Sequence, residues 1–158
     1  MSSLTLPLLA LDVGDVRIGV AASASGIVCS PLPAIHRKGR KQTLDALEAV
    51  AGAQGAKGFV LGLPLREGGG EGEQVEKTRA FARSLARRLP RLPIAFWDER
   101  YSSADAKEIL GPGPHAPGVV DSLAACVILQ EYLDHHFSAR DSADPDAGED
   151  DDVSPGGV

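Results

Sequence analysis

A single carboxylate interrupts the most apolar stretch near the start of this chain. Residues 4–13, LTLPLLALDV, read as a strand that is apolar on both faces, the pattern of a strand placed centrally in a sheet covered on both sides. Period two puts Asp12 on the face of Leu8 and Ala10, with Leu9, Leu11 and Val13 opposite. A carboxylate at the end of such a strand needs a partner, because its desolvation is costly. Two roles meet that need: capping the turn at Gly14 and Asp15, or holding a metal ion or phosphate site.

The rest of the chain reads in order from that strand. RIGVAAS at 17–23 and IVCSPLP at 27–33 are a second and third strand, joined by short turns into an antiparallel meander. TLDALEAVAGAQG at 43–55 has helical spacing, and GFVLGLP at 58–64 is a short buried strand. REGGGEGEQ at 66–74 has nothing to bury and reads as a loop. Residues 74–89 carry one apolar stripe and form the clearest helix; LPIAFWD at 92–98 is the fifth strand. SADAKEIL at 103–110 is a further helix, and VVDSLAACVILQEYLDHHF at 119–137 is the last. A meander feeding alternating helices and strands gives an α/β fold, a five-stranded mixed sheet with helices on both sides. This is the layout of a ribonuclease-H-like fold, whose strand order, 3-2-1-4-5, patterning alone does not fix.

The length of 158 residues fits one domain. Residues 139–158 hold one basic and seven acidic side chains, so the whole formal charge of −6 sits there. They read as a disordered acidic tail on a domain spanning 1–138, which is formally neutral at 15 charges of each sign. The acidic balance therefore does not exclude a nucleic-acid partner. Two cysteines exclude a disulfide-dense scaffold and a four-cysteine metal site. No signal peptide and no apolar run of membrane-spanning length is visible, so a cytoplasmic protein without membrane association is expected.

Further acids end other elements. Asp98 and Glu99 follow the fifth strand, and Asp121 opens the last helix. Carboxyl ends of parallel strands line the usual ligand crevice of an open α/β sheet. Adjacent strand residues point oppositely, so one of Asp98 and Glu99 faces such a site while the other caps or pairs. Acids are also favoured in a first helical turn, which is the plain reading of Asp121. Gathered together, these carboxylates repel unless a cation intervenes, and hard oxygen donors suit Mg²⁺ or Mn²⁺. Such ions support phosphodiester hydrolysis. Arg37, Lys38, Arg40 and Lys41 crowd one loop and are candidate phosphate contacts. Arg17 and Arg100 each follow closely on a candidate acid and either clamp a phosphate or neutralise carboxylates.

Four blocks in order, LALDVGDVRIGVAAS, FVLGLPLREGGGEGEQVEKTRAFARSLARRL, FWDERYSSADAKEIL and VVDSLAACVILQEYLD, resemble the YqgF family, also called RuvX-like. The resemblance spans roughly residues 6–136. It implies a ribonuclease-H-like fold related to the RuvC resolvase and a metal-dependent nuclease. The implied activity is processing of the 5′ end of pre-16S ribosomal RNA, with Holliday junction resolution on branched DNA as the alternative. The family's first-strand aspartate falls on Asp12, its DER block on Asp98, Glu99 and Arg100, and its last-helix aspartate on Asp121. Glu99 is the usual candidate ligand of that block. The GLP block falls on Gly62, Leu63 and Pro64, and the loop lysine on Lys77. The resemblance thus implies Asp12, Glu99, Asp121 and Asp98 as catalytic residues, with Asp12, Glu99 and Asp121 as metal ligands. Junction cleavage adds a homodimer, because symmetric cutting needs two sites about a two-fold axis. Two rival readings remain: a phosphate-binding hairpin of the actin-like ATPase kind, and a non-catalytic RNA- or ribosome-associated module.

Overall fold

The computed structural model describes residues 4–64, 72–98 and 108–138. The acidic segment 139–158, and most of the helix expected at 103–110, lie outside the described residues. The elements are β1 (Leu8–Val13), β2 (Arg17–Ser23), β3 (Ser30–His36), α1 (Arg40–Gln54), β4 (Phe59–Leu63), α2 (Glu73–Arg88), β5 (Ile94–Asp98) and α3 (Pro117–Leu133). A turn of π-helix over Asp134–Ser138 extends α3.

The sheet order is β3-β2-β1-β4-β5. β1 pairs antiparallel with β2 and parallel with β4; β2–β3 is antiparallel and β4–β5 parallel. β1 is central, as its two-faced apolar pattern requires, and each face carries its own core. Leu9, Leu11 and Val13 pack with Leu44 and Leu47 of α1 and Phe81 and Leu85 of α2. Leu8 and Ala10 pack on the other face with Ala125, Ile128 and Leu129 of α3. The alternation of β1 therefore assigns Asp12 to the α3 face.

Several elements start elsewhere than the pattern suggests. β1 begins at Leu8 rather than at residue 4. α3 begins at Pro117, so Asp121 is its fifth residue and lies outside the first turn, and the plain reading of an acid at a helix start does not hold for it. β3 begins at Ser30, three residues later than expected. The hydroxyls of Ser23 and Ser25 accept hydrogen bonds from the amides of Gly26, Ile27 and Val28, so the chain is still turning there. Ile27 and Val28, strand formers by composition, are left 69% and 64% exposed. The prolines Pro31 and Pro33 are tolerated because β3 is an edge strand. α1 begins three residues earlier than its apolar periodicity, at Arg40, and takes part of the basic loop into its first turn.

Candidate active site

The carboxyl ends of β1, β3, β4 and β5 and the start of β2 lie along one edge of the sheet. On the α3 face of that edge, Asp12 pairs across the ladder with Gly19 of β2. Gly19 is where α3 lands. A Cβ built there would meet the backbone carbonyl oxygen of Asp121 at 2.0 Å and the amide nitrogen of Ser122 at 2.9 Å. Only glycine permits that approach.

The landing is fixed by Ser122. The β2–β3 register shifts between Ile18 and Val20, and the irregularity frees backbone groups on both strands. The Ser122 hydroxyl donates to the carbonyl of Leu32 at 2.6 Å and accepts from the amide of Val20 at 3.2 Å. One buried side chain thus bridges the bulge and pins the helix start to both strands.

Asp121 then meets Arg17, whose Nε donates to Oδ2 at 2.7 Å across 104 residues of sequence. Both side chains are roughly a quarter exposed, at 29% and 27%, so the pair is partly shielded from water and its geometry is held from both sides. Of the two roles open to Arg17, the structure displays carboxylate neutralisation.

On the other side of Asp12 the parallel ladder runs Leu9–Phe59, Ala10–Val60, Leu11–Leu61. One step further brings Asp12 beside Gly62, which pairs with Trp97 of β5. Asp12 therefore stands in a row with a glycine to either side. Trp97 closes the row, its indole Nε1 donating to Glu131 at 3.0 Å and its ring set edge-on to Tyr132. Ala95 and Trp97 belong to the α3 face, whereas Ile94 packs on the opposite core. Asp98 follows Ile94 and Phe96 in the alternation and is exposed on the α2 face. The structure thus brings together Asp12 and Asp121 and sets Asp98 on the other face. Glu99 and Arg100 lie outside the described residues.

Oxygen donors of this kind suit a hard dication. Among the described residues no group of three His, Cys, Asp or Glu side chains is close enough to form a ligand set. Asp12 and Asp121 thus fit Mg²⁺ or Mn²⁺ in donor type.

The basic residues divide. Arg37 donates to the carbonyl of Gly14 at 2.7 Å and lies 5.2 Å over the ring of Phe81. Lys77 approaches Asp15 at 3.4 Å and Glu73 at 3.6 Å. With Arg40 they line a cavity of about 480 Å³ between α1 and α2. Lys41 is drawn away to Asp45 at 3.1 Å, and Lys38 is exposed. Arg88 also binds Asp45, and these two cations hold its carboxyl below the usual range.

Sequence reasoning passed over Gly19, Ser122 and Thr43. Gly19 carried a signal, since a lone glycine inside a strand marks a close backbone approach. Ser122 and Thr43 did not, because their significance depends on contacts remote in sequence.

The family model described as "RuvX: Holliday junction resolvase" matches residues 7–135. The chain belongs to the RuvX family. A relative from Ruegeria sp. (strain TM1040), named "Putative pre-16S rRNA nuclease", is 43% identical over 143 residues, covering 85% of this chain and 88% of its own. One of the same name from Phenylobacterium zucineum (strain HLK1) is 42% identical over 134 residues, covering 81% and 86%. Among solved structures, T. thermophilus RuvC in complex with a Holliday junction substrate matches with a TM-score of 0.50 at 14% identity, over 86% of this chain and 96% of that one. The RuvX chain thus has the ribonuclease-H-like, RuvC-like fold that its element order suggested. No described helix of it is long and apolar enough to cross a membrane.

Proposed function

We propose that this RuvX protein is a divalent-metal-dependent endonuclease that hydrolyses phosphodiester bonds in 5′-end processing of pre-16S ribosomal RNA. The observation that carries the reading is the convergence of Asp12 and Asp121 about Gly19, at the sheet edge where α/β folds bind ligands. Relatives covering most of the chain carry the matching name.

Asp12, Asp121 and Glu99 are the proposed ligands. Glu99 is included because the family resemblance puts the usual ligand of the DER block there. Mg²⁺ or Mn²⁺ there supplies an activated water and charge stabilisation for the leaving oxygen. Arg17 orients the Asp121 carboxylate, and the Ser122 bridge holds α3 at the distance the site requires. Arg37, Arg40 and Lys77, with Lys38, Lys41 and Arg100 in support, are the proposed phosphate contacts.

Junction cleavage is the second reading, favoured by the description of the matching family; it requires a two-fold dimer. Offering the purified full chain pre-16S rRNA and a four-way DNA junction side by side, with Mg²⁺ or Mn²⁺, separates the two. Cleavage of the RNA at its 5′ region supports the first reading. Paired, symmetric nicks in the junction alone overturn it.

A further inference from the structure

The first turn of α1 contradicts the electrostatics of a helix. A helix N-terminus carries partial positive charge and open amides, and acids are favoured there. α2 obeys this rule, with Glu73 and Glu76 in its first turn. α1 has no acid in its first turn and no side-chain cap, and it begins with Arg40 and Lys41. Its preceding residue, Gly39, has φ +138° with nothing within 4 Å of the position a Cβ would take, so the approach to the helix end is open.

A second, independent feature marks the same place. The Thr43 hydroxyl lies one turn into α1, on a residue only 2% exposed, and has no hydrogen-bond partner among the described residues. Buried hydroxyls without partners are rare and cost stability. Thr43 lines the cavity of about 480 Å³ whose walls also carry Arg37, Arg40, Lys77 and Asp15. Three cations thus line the cavity beside one carboxylate, and Glu73 lies 3.6 Å from Lys77 at its margin. Arg37 is braced by Gly14 and Phe81, and Lys77 by Asp15.

We propose that this cavity is a phosphate-binding pocket that takes a phosphate of the nucleic-acid strand, on the opposite face of the sheet from Asp12. An anion there answers each anomaly: it accepts from the open α1 amides, gives the Thr43 hydroxyl a partner and offsets the clustered cations. The volume falls within the range of small-ligand sites and leaves room for more than a bare phosphate. The β1–β2 turn joins the two sites. Asp12 and Asp15 are three residues apart, at most about 10 Å along the chain. A strand crossing the sheet edge can therefore be gripped at one phosphate while another lies at the carboxylates. That the phosphate belongs to a strand rests on the nuclease reading; the anion affinity of the pocket does not.

The test uses the full chain without divalent metal, so that binding is read apart from cleavage. The probes are inorganic phosphate, followed by thermal melting against chloride at equal ionic strength, and a labelled 5′-phosphorylated single-stranded RNA, followed by anisotropy. The variants are Arg40→Gln and Thr43→Val, with Asp12→Asn as the control at the other site. Phosphate should raise the melting temperature of the wild type and of Asp12→Asn, and fail to raise that of Arg40→Gln. Each pocket variant should bind the RNA about five- to tenfold more weakly, as expected for the loss of one charge-assisted contact, and phosphate should compete with the RNA. Thr43→Val without ligand should melt no lower than the wild type, since the hydroxyl it removes has no partner. Wild-type affinity in both variants overturns the pocket. RNA binding that phosphate does not displace overturns the assignment to the strand, as does a lower ligand-free melting temperature in Thr43→Val for the role of its hydroxyl. In a separate assay with Mn²⁺ added, cleavage that survives in Asp12→Asn, together with metal-free binding lost in Arg40→Gln, overturns the metal reading and leaves the pocket standing.

Discussion

The backbone carbonyl oxygen of Asp121 occupies the space that a side chain at Gly19 would need, 2.0 Å from the position of its Cβ. This contact ties the helix bearing one candidate acid to the strand that pairs with the other. Gly19→Ala must push α3 off β2 or distort the ladder, since both contacting groups are backbone. The expected loss is about 3 kcal/mol of stability or more, read from urea denaturation. Cleavage should fall with it, because Asp121 moves away from Asp12. A variant as stable as the wild type would show that α3 does not rest on this glycine.

Ser122→Ala tests the bridge beside it. The substitution leaves the Val20 amide and the Leu32 carbonyl without their common partner in a buried setting. The expected cost is about 1–3 kcal/mol, again by denaturant titration, with no change in the metal requirement of the residual activity.

The acids were legible in the sequence because each breaks a pattern. Asp12 interrupts an apolar strand, and Asp121 directly precedes the apolar run of α3. The order of elements was legible for the same reason, since the faces of β1 and α3 are nearly all apolar. What sequence could not supply was the meeting of distant parts. The Arg17–Asp121 pair spans 104 residues, and Ser122 acts through a bulge that no local pattern announces. The start of β3 was misplaced because Ile27 and Val28 have strand propensity, while the serine-bonded turn around them overrides it. The start of α1 was missed because Arg40 and Lys41 are poor residues for a helix beginning. Alternation along β5 separates Asp98 from the α3 face, a distinction that the adjacent pair in the sequence left open.

Alkaline pH should destabilise the fold through its two thiols. Burial pushes the Cys29 thiol from 9.0 up to about 12, with Cys126 and Asp134 adding to the shift. Burial likewise raises Cys126 to about 11. Above pH 9 the unfolded chain releases protons that the folded one retains, so stability falls as pH rises towards 11–12. The double variant Cys29→Ala, Cys126→Ala should show a flatter decline between pH 9 and 11, measured by thermal melts. Both thiols should also react slowly with alkylating reagents at neutral pH, because the thiolate is scarce.

Salt dependence should divide the basic cluster. Neutralising Arg37, Arg40 and Lys77 together should flatten the slope of RNA affinity against salt more than neutralising Lys38 and Lys41, because the first three line one cavity and the other two do not. Equal slopes in the two variants would place the strand elsewhere on the surface.

The central claim is that Asp12 is a ligand in a phosphodiester-cleaving site. Asparagine preserves its shape and hydrogen bonding and removes its charge. The direct measurement is the cleavage rate of pre-16S rRNA by Asp12→Asn and wild type as Mn²⁺ is titrated, with melts confirming that both proteins are folded. The account predicts a folded Asp12→Asn protein that still binds the RNA and does not cleave it at any Mn²⁺ concentration. Cleavage at the wild-type rate with the same Mn²⁺ dependence would contradict it.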